Sequence, residues 1–180
     1  PGLLYKTLDP QAGILGCFEC HSTGPVRDTQ SGLEPGESGV QCEACHGAAS
    51  AHVASAGKQK LSIPRADLNN FCGRCHRPPA SDPASIDWSF AWNVRHQPVY
   101  LSQSQCFKKS GGALTCLTCH DAHAPRLARD ACAGCHASTP RACGPRCVNC
   151  HMPAVSPEPP LRFTNHWIGV YSGGAKLRPR

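Results

Sequence analysis

Long apolar runs are missing from this sequence. No stretch of about eighteen apolar residues occurs, so no segment is expected to cross a membrane as a helix. A basic-then-apolar leader is missing too, and the chain opens on Pro1 rather than Met, which predicts a processed or partial chain. Aromatic residues are few: three Trp, three Tyr and five Phe in 180 residues, against 17 glycines and 17 prolines. That balance is poor material for a side-chain core of ordinary size. Alternating apolar runs of strand length are nearly absent, so little or no β-sheet is expected. The segment 22–41, STGPVRDTQSGLEPGESGVQ, carries turn residues throughout and reads as a loop.

Cysteine is what the chain has in excess, fourteen in all. Twelve fall into one phrase repeated six times. The phrases are Cys17-x-x-Cys20-His21, Cys42-x-x-Cys45-His46, Cys72-x-x-Cys75-His76, Cys116-x-x-Cys119-His120, Cys132-x-x-Cys135-His136 and Cys147-x-x-Cys150-His151. C-x-x-C-H is the attachment signature of c-type haem. Two thiols form thioethers with the two vinyl groups on one edge of a porphyrin, and a gap of two residues lets one turn of chain span them. The next residue then lies under the ring, where an imidazole binds the iron as proximal ligand. Zinc sites and redox dithiols also use C-x-x-C pairs. Neither requires His directly after the second Cys, and here it follows every time.

Six attached haems would mean one for every 30 residues. The porphyrins then serve as the core. The expected fold is mostly irregular with short α-helices, a multihaem cytochrome wrapped around its cofactors. The net charge of +6 first suggests a nucleic-acid binder. However, a ferric haem with two neutral axial ligands and ionised propionates carries about −1, so six of them bring about −6. The basic residues are better matched to propionates, and no nucleic-acid partner is expected.

Ten histidines leave four beyond the proximal six: His52, His96, His123 and His166. Each is a candidate distal ligand, reaching the opposite face of an iron from elsewhere in the chain. His52 lies in the alanine-rich GAASAHVASAGK, His96 follows a long haem-free stretch, and His166 follows the extended spacer PAVSPEPP. His123 stands three residues after His120, about one helical turn on, which aims it past its own haem toward an adjacent one. Met152 reads mainly as haem packing. Two irons lack an obvious internal partner, and three solutions stay open. They are five-coordinate, they take His from a neighbouring chain or another subunit, or their ligands lie upstream of Pro1. The remaining Cys106 and Cys143 are expected to pair as a disulfide in an exported protein, the alternative being two free thiols.

The organisation expected is a single unit, 1–180, with haems one to three in 1–85 and four to six in 86–180. Residues 77–96, RPPASDPASIDWSFAWNVRH, read as a linker and a candidate boundary, although close haem packing would fuse the halves. Short helices are expected over 42–57 and 116–123.

The phrases GVQCEACHGAASAHV, SQCFKKSGGALTCLTCHDAH, CVNCHMP and FTNHWIGVY resemble bacterial multihaem c-type cytochromes. That broad class includes the tetrahaem electron carriers of ammonia oxidisers and the pentahaem and octahaem nitrogen and sulfur reductases. The resemblance covers most of residues 17–171. It implies haem pairs, stacked or perpendicular, and export to the periplasm or cell exterior with haem attached after translocation. Members often carry a further motif upstream of the equivalent of Cys17, and none precedes it here. Pentahaem nitrite reductases use C-x-x-C-K at the catalytic haem. All six motifs here end in His, so that activity is not carried over.

The expected function is electron transfer along closely packed, mostly bis-His haems, alone or as a subunit of a larger complex or filament, with redox proteins as partners. The alternative is a multihaem oxidoreductase whose open haem acts on a small nitrogen or sulfur compound. A sensor or structural subunit is the third reading.

Overall fold

The computed structural model describes residues 10–63, 66–76, 83–127, 131–137 and 147–180. The chain divides into two compact units, residues 1–65 and 66–180. The break lies ahead of the third motif rather than in the Trp-bearing stretch after it.

In the first unit, helix α1 (Pro10–His21) carries the first motif in its last turns. Segment 22–41, read as a loop, is two nested antiparallel pairs. Strand β1 (Ser22–Thr23) pairs with β4 (Glu37–Ser38), and inside them β2 (Arg27–Thr29) pairs with β3 (Gly32–Glu34). Side-chain hydrogen bonds rather than apolar alternation hold this pairing. The buried Thr23 hydroxyl donates to the Gly39 carbonyl at 2.9 Å and accepts from the Gln41 amide at 2.9 Å. The Gly39 amide donates to the His21 carbonyl at 3.0 Å. A side chain at Gly36 would place its Cβ 3.0 Å from the Thr23 carbonyl, so only glycine passes there without displacement. Helix α2 (Cys42–His46) and helix α3 (Ser50–Ala54) replace the single helix expected over 42–57. Gly47, at φ 69°, separates them.

The second unit runs through helix α4 (Leu68–Gly73), two 3-10 turns (Pro83–Ser85, Ala91–Arg95), helix α5 (Gln97–Gln103) and helix α6 (Gln105–Lys109). Pro98 in the first turn of α5 occupies a position where no amide donor is needed. Helix α7 (Cys116–Cys119) begins with a capping box between Thr115 and Thr118. It ends after one turn. His120–Asp121 (β5) instead pairs with Ala124–Leu127 (β6), so the helix expected over 116–123 is a single turn followed by a hairpin. Helix α8 (Ala131–Cys135), helix α9 (Cys147–His151) and the pair β7 (Ala154–Val155) with β8 (Phe163–Thr164) complete the unit.

Seven hydrophobic residues are buried among the described residues. Val94, Tyr100 and Val155 form the central cluster, with Trp88, Ala91, Phe163, Trp167 and Leu177 packed on it. Trp88 meets both Tyr100 and Trp167 edge-on, with ring centres 5.1 Å apart in each case. The stretch expected to be a linker therefore supplies the polypeptide's own core. The rest is short helices in irregular chain, as the composition predicts, with four small strand pairs it did not anticipate among the described residues.

Candidate functional site

Each C-x-x-C-H phrase sits on or at the end of a helical turn. Helices α2 and α9 each consist of one whole motif. His21 closes α1, while α8 ends on Cys135 with the His136 amide bonded to the Cys132 carbonyl at 2.8 Å. Cys72 lies in α4, and the turn after it returns the His76 amide to the Cys72 carbonyl at 3.0 Å. A helical turn carries residues i, i+3 and i+4 on one side, which is where the two thiols and the imidazole must be to grip one ring. The motif cysteines are half-buried or exposed. Two thiols on one face of a turn with an imidazole beside them are the donor set that a c-type haem requires.

The histidine tautomers agree. Nδ1 of His151 lies 2.9 Å from the Gly169 carbonyl, and that of His46 lies 3.4 Å from the Ser62 carbonyl. Among the distal candidates, His52 Nδ1 meets the Gln59 carbonyl at 2.6 Å and His166 Nδ1 meets the Thr164 carbonyl at 3.0 Å. A carbonyl only accepts, so Nδ1 carries the proton and Nε2 keeps its lone pair. Metal-binding imidazoles are oriented in this way by their outer partners. Among the described residues no three or more of His, Cys, Asp and Glu converge as a zinc site would need.

Within the second unit the thiols follow one another. The Cys72 thiol lies near that of Cys116 and the Cys147 thiol near that of Cys132, and the Cys116 thiol donates to Asn69 Oδ1 at 3.1 Å. Burial, with Cys72 alongside, pushes the Cys116 thiol up to about 12. Cys119 is raised by burial and then by Cys132, Cys106 and Cys135. Cys132 is raised by burial and by Cys147 and Cys106 before Cys135. Helix α4 packs on α7 and α7 on α8. Asn69, which the sequence reading did not single out, locks the first junction. Its Oδ1 accepts from the Cys116 amide at 2.9 Å, and its Nδ2 donates to the Leu114 carbonyl at 3.2 Å. Cys106 lies beside the fourth and fifth motifs. Its expected partner Cys143 falls outside the described residues, and so does that disulfide.

The four distal candidates are placed differently. His166 comes up against His120, ring centres 6.2 Å apart and planes 28° apart. Burial lowers its pKa, with His120 and His76 nearby, so the imidazole is held neutral. His52 follows α2 in the first unit, bonded to the same 59–62 stretch as His46. His96 sits half-buried between a 3-10 turn and α5. His123 stands at the tip of the β5–β6 hairpin with its side chain 83% exposed and 3.8 Å from Asp121. The helical spacing expected between His120 and His123 is replaced by a reversal of the chain. Met152 is half-buried with Val148 beside a groove of about 490 Å³ that Arg162 and Lys176 also line. Val148 and Met152, four apart, share the face of α9 turned from Cys147, Cys150 and His151.

Gly169 supports the sixth motif through two bonds with His151: its carbonyl takes the ring Nδ1 and its amide donates to the His151 carbonyl at 3.2 Å. A Cβ at Gly169 would fall 2.5 Å from Pro179 Cβ. Gly169→Ala is therefore expected to displace the C-terminal segment and loosen the His151 ring. The result would be a shifted midpoint potential for one haem in a spectroscopic redox titration, with haem content unchanged.

Residues 5–47 match the family Cytochrome c554 and c-prime. The match spans the first two motifs and stops one residue past His46. It supports a c-type cytochrome broadly, with covalently bound haem and electron transfer. Searches of the curated proteins and of the solved structures give no significant match. No helix among the described residues is long and apolar enough to cross a membrane.

Proposed function

We propose that this chain is a hexahaem c-type cytochrome that carries electrons along its haems, exported to the periplasm or cell exterior and working with redox partner proteins. The observation that carries the reading is the packing of the motif-bearing helices in the second unit, α4 on α7 and α7 on α8, with the thiols of Cys72 and Cys116, and of Cys132 and Cys147, near each other. Each thiol marks a porphyrin edge, so contiguous thiols bring contiguous edges, and the third to sixth haems would follow in sequence order. When bound, haem supplies a one-electron couple at each iron. The chain's own residues do the rest. Cysteine pairs fix each ring, and His21, His46, His76, His120, His136 and His151 hold one face of each iron. Carbonyl-bound imidazoles such as His52 and His166 are suited to the other face. Irons held on both faces pass electrons without binding substrate.

The test is direct. Protein matured in a host with haem-attachment machinery is expected to carry the mass of six haems and to bind no zinc. Low-temperature EPR is expected to be dominated by low-spin ferric signals. A chain without haem would overturn the reading. A single dominant high-spin haem that binds cyanide and turns over a small nitrogen or sulfur compound would move it to the oxidoreductase alternative.

A further inference from the structure

We propose that His120 and His166 are the two axial ligands of one iron, that of the fourth motif. The assignment rests on the haem reading above and deepens it.

The two rings come from segments 46 positions apart, yet stand 6.2 Å centre to centre with planes only 28° apart. Two metal–nitrogen bonds of about 2.0 Å each set the coordinating nitrogens about 4 Å apart, and the two half-rings add about 2 Å more. The observed separation is therefore the one that two imidazoles hold across a single metal.

The His166 position is built rather than incidental. The wholly buried Asn165 before it donates to the Lys176 and Leu177 carbonyls and accepts from the Trp167 amide. The wholly buried Ser104 donates to the His166 carbonyl at 3.1 Å and accepts from the Ile168 amide at 2.8 Å. The backbone is thus pinned on both sides of His166, and the Thr164 carbonyl commits the ring's Nδ1 proton. What is left is an Nε2 lone pair presented from the unit's own core. His123 is nearer His120 in sequence, but it stands at a hairpin tip with its side chain 83% exposed. One consequence is a crosslink: iron held by His120 and His166 ties β5 to the segment after β8.

The test uses the mature, haem-loaded protein. His166→Ala is expected to keep the full haem count but convert one low-spin haem per chain to high spin, with added imidazole restoring the low-spin signal. His123→Ala is expected to leave that haem low-spin. Adding His166→Ala to a Cys116→Ala/Cys119→Ala background should produce no new high-spin signal. If the alanine variant does not mature, His166→Met keeps an axial ligand and is expected to raise the potential of one haem, as His/Met ligation does. The pairing is overturned if His166→Ala or His166→Met leaves every spin state and potential unchanged. It is also overturned if the high-spin signal persists without the fourth haem, which would assign His166 to another iron such as that of His76. A wild-type chain with no haem would instead sink the cytochrome reading itself, and haem content separates the two failures.

Discussion

Cys116→Ala/Cys119→Ala is expected to lower the haem count by one and to divide the remaining haems of the second unit into two groups. The fourth motif lies inside the succession: its helix α7 packs on α4 on one side and on α8 on the other. Removing the ring between them leaves the third haem without a near neighbour toward the fifth. Electron equilibration between the third haem and the fifth and sixth should then slow by orders of magnitude in flash-reduction kinetics. The matched control is Cys147→Ala/Cys150→Ala at the end of the succession. It should also lose one haem, yet leave fast equilibration among the third, fourth and fifth. If both variants slow transfer equally, or neither does, the linear order is wrong. Mass spectrometry confirms the loss of one haem in each case.

Asn165→Ala is expected to cause the largest loss of stability among single substitutions in the second unit. The side chain is wholly buried and makes three bonds to backbone groups: the Trp167 amide at 2.9 Å, the Lys176 carbonyl at 2.8 Å and the Leu177 carbonyl at 3.0 Å. Truncation leaves all three groups without that partner in an interior site, and each such loss costs about 1–3 kcal/mol. Partial relaxation brings the total to roughly 3–5 kcal/mol. Urea unfolding followed by Soret absorbance would show a lowered midpoint, and trypsin should cut sooner after Lys176. Asn165→Asp keeps the acceptor for Trp167 but sets a buried carboxylate oxygen against two carbonyls, so it should be no more stable than Ala. Equal stability of all three would remove Asn165 as the anchor of the C-terminal segment.

The attachment motifs were legible because covalent chemistry demands contiguity. Two vinyl groups at fixed separation and an iron below the ring leave little choice of spacing, so each motif is complete within five residues. Other features depend on partners far along the chain. Thr115 and Thr118 start α7 locally, but what stops it after Cys119 is strand pairing with 124–127. Residues 86–101 carry no clear period, and their role as a core comes from Val155, Phe163 and Trp167 packing on them. Of the two Trp in the stretch read as a linker, Trp88 packs on that core. Asn69 and Asn165 look like ordinary loop or helix-end residues in sequence, and only their distant carbonyl and amide partners show their function. The contact of His166 with His120 belongs to the same class, since nothing local to either residue points to the other.

The clamp at the base of the nested hairpin separates two kinds of distance. Thr23, Gly39 and Gln41 join through the Thr23 hydroxyl, and the Gly39 amide bonds back to His21. The end of the first motif and the start of the second are held together there, whatever path the chain takes between them. Residues 24–36 are a side excursion whose contour contributes nothing to the gap it spans. The number of residues between two attachment motifs is accordingly no ruler for the separation of the groups they carry. A family of such chains could lengthen or trim that excursion while keeping the electronic coupling between its first two sites constant.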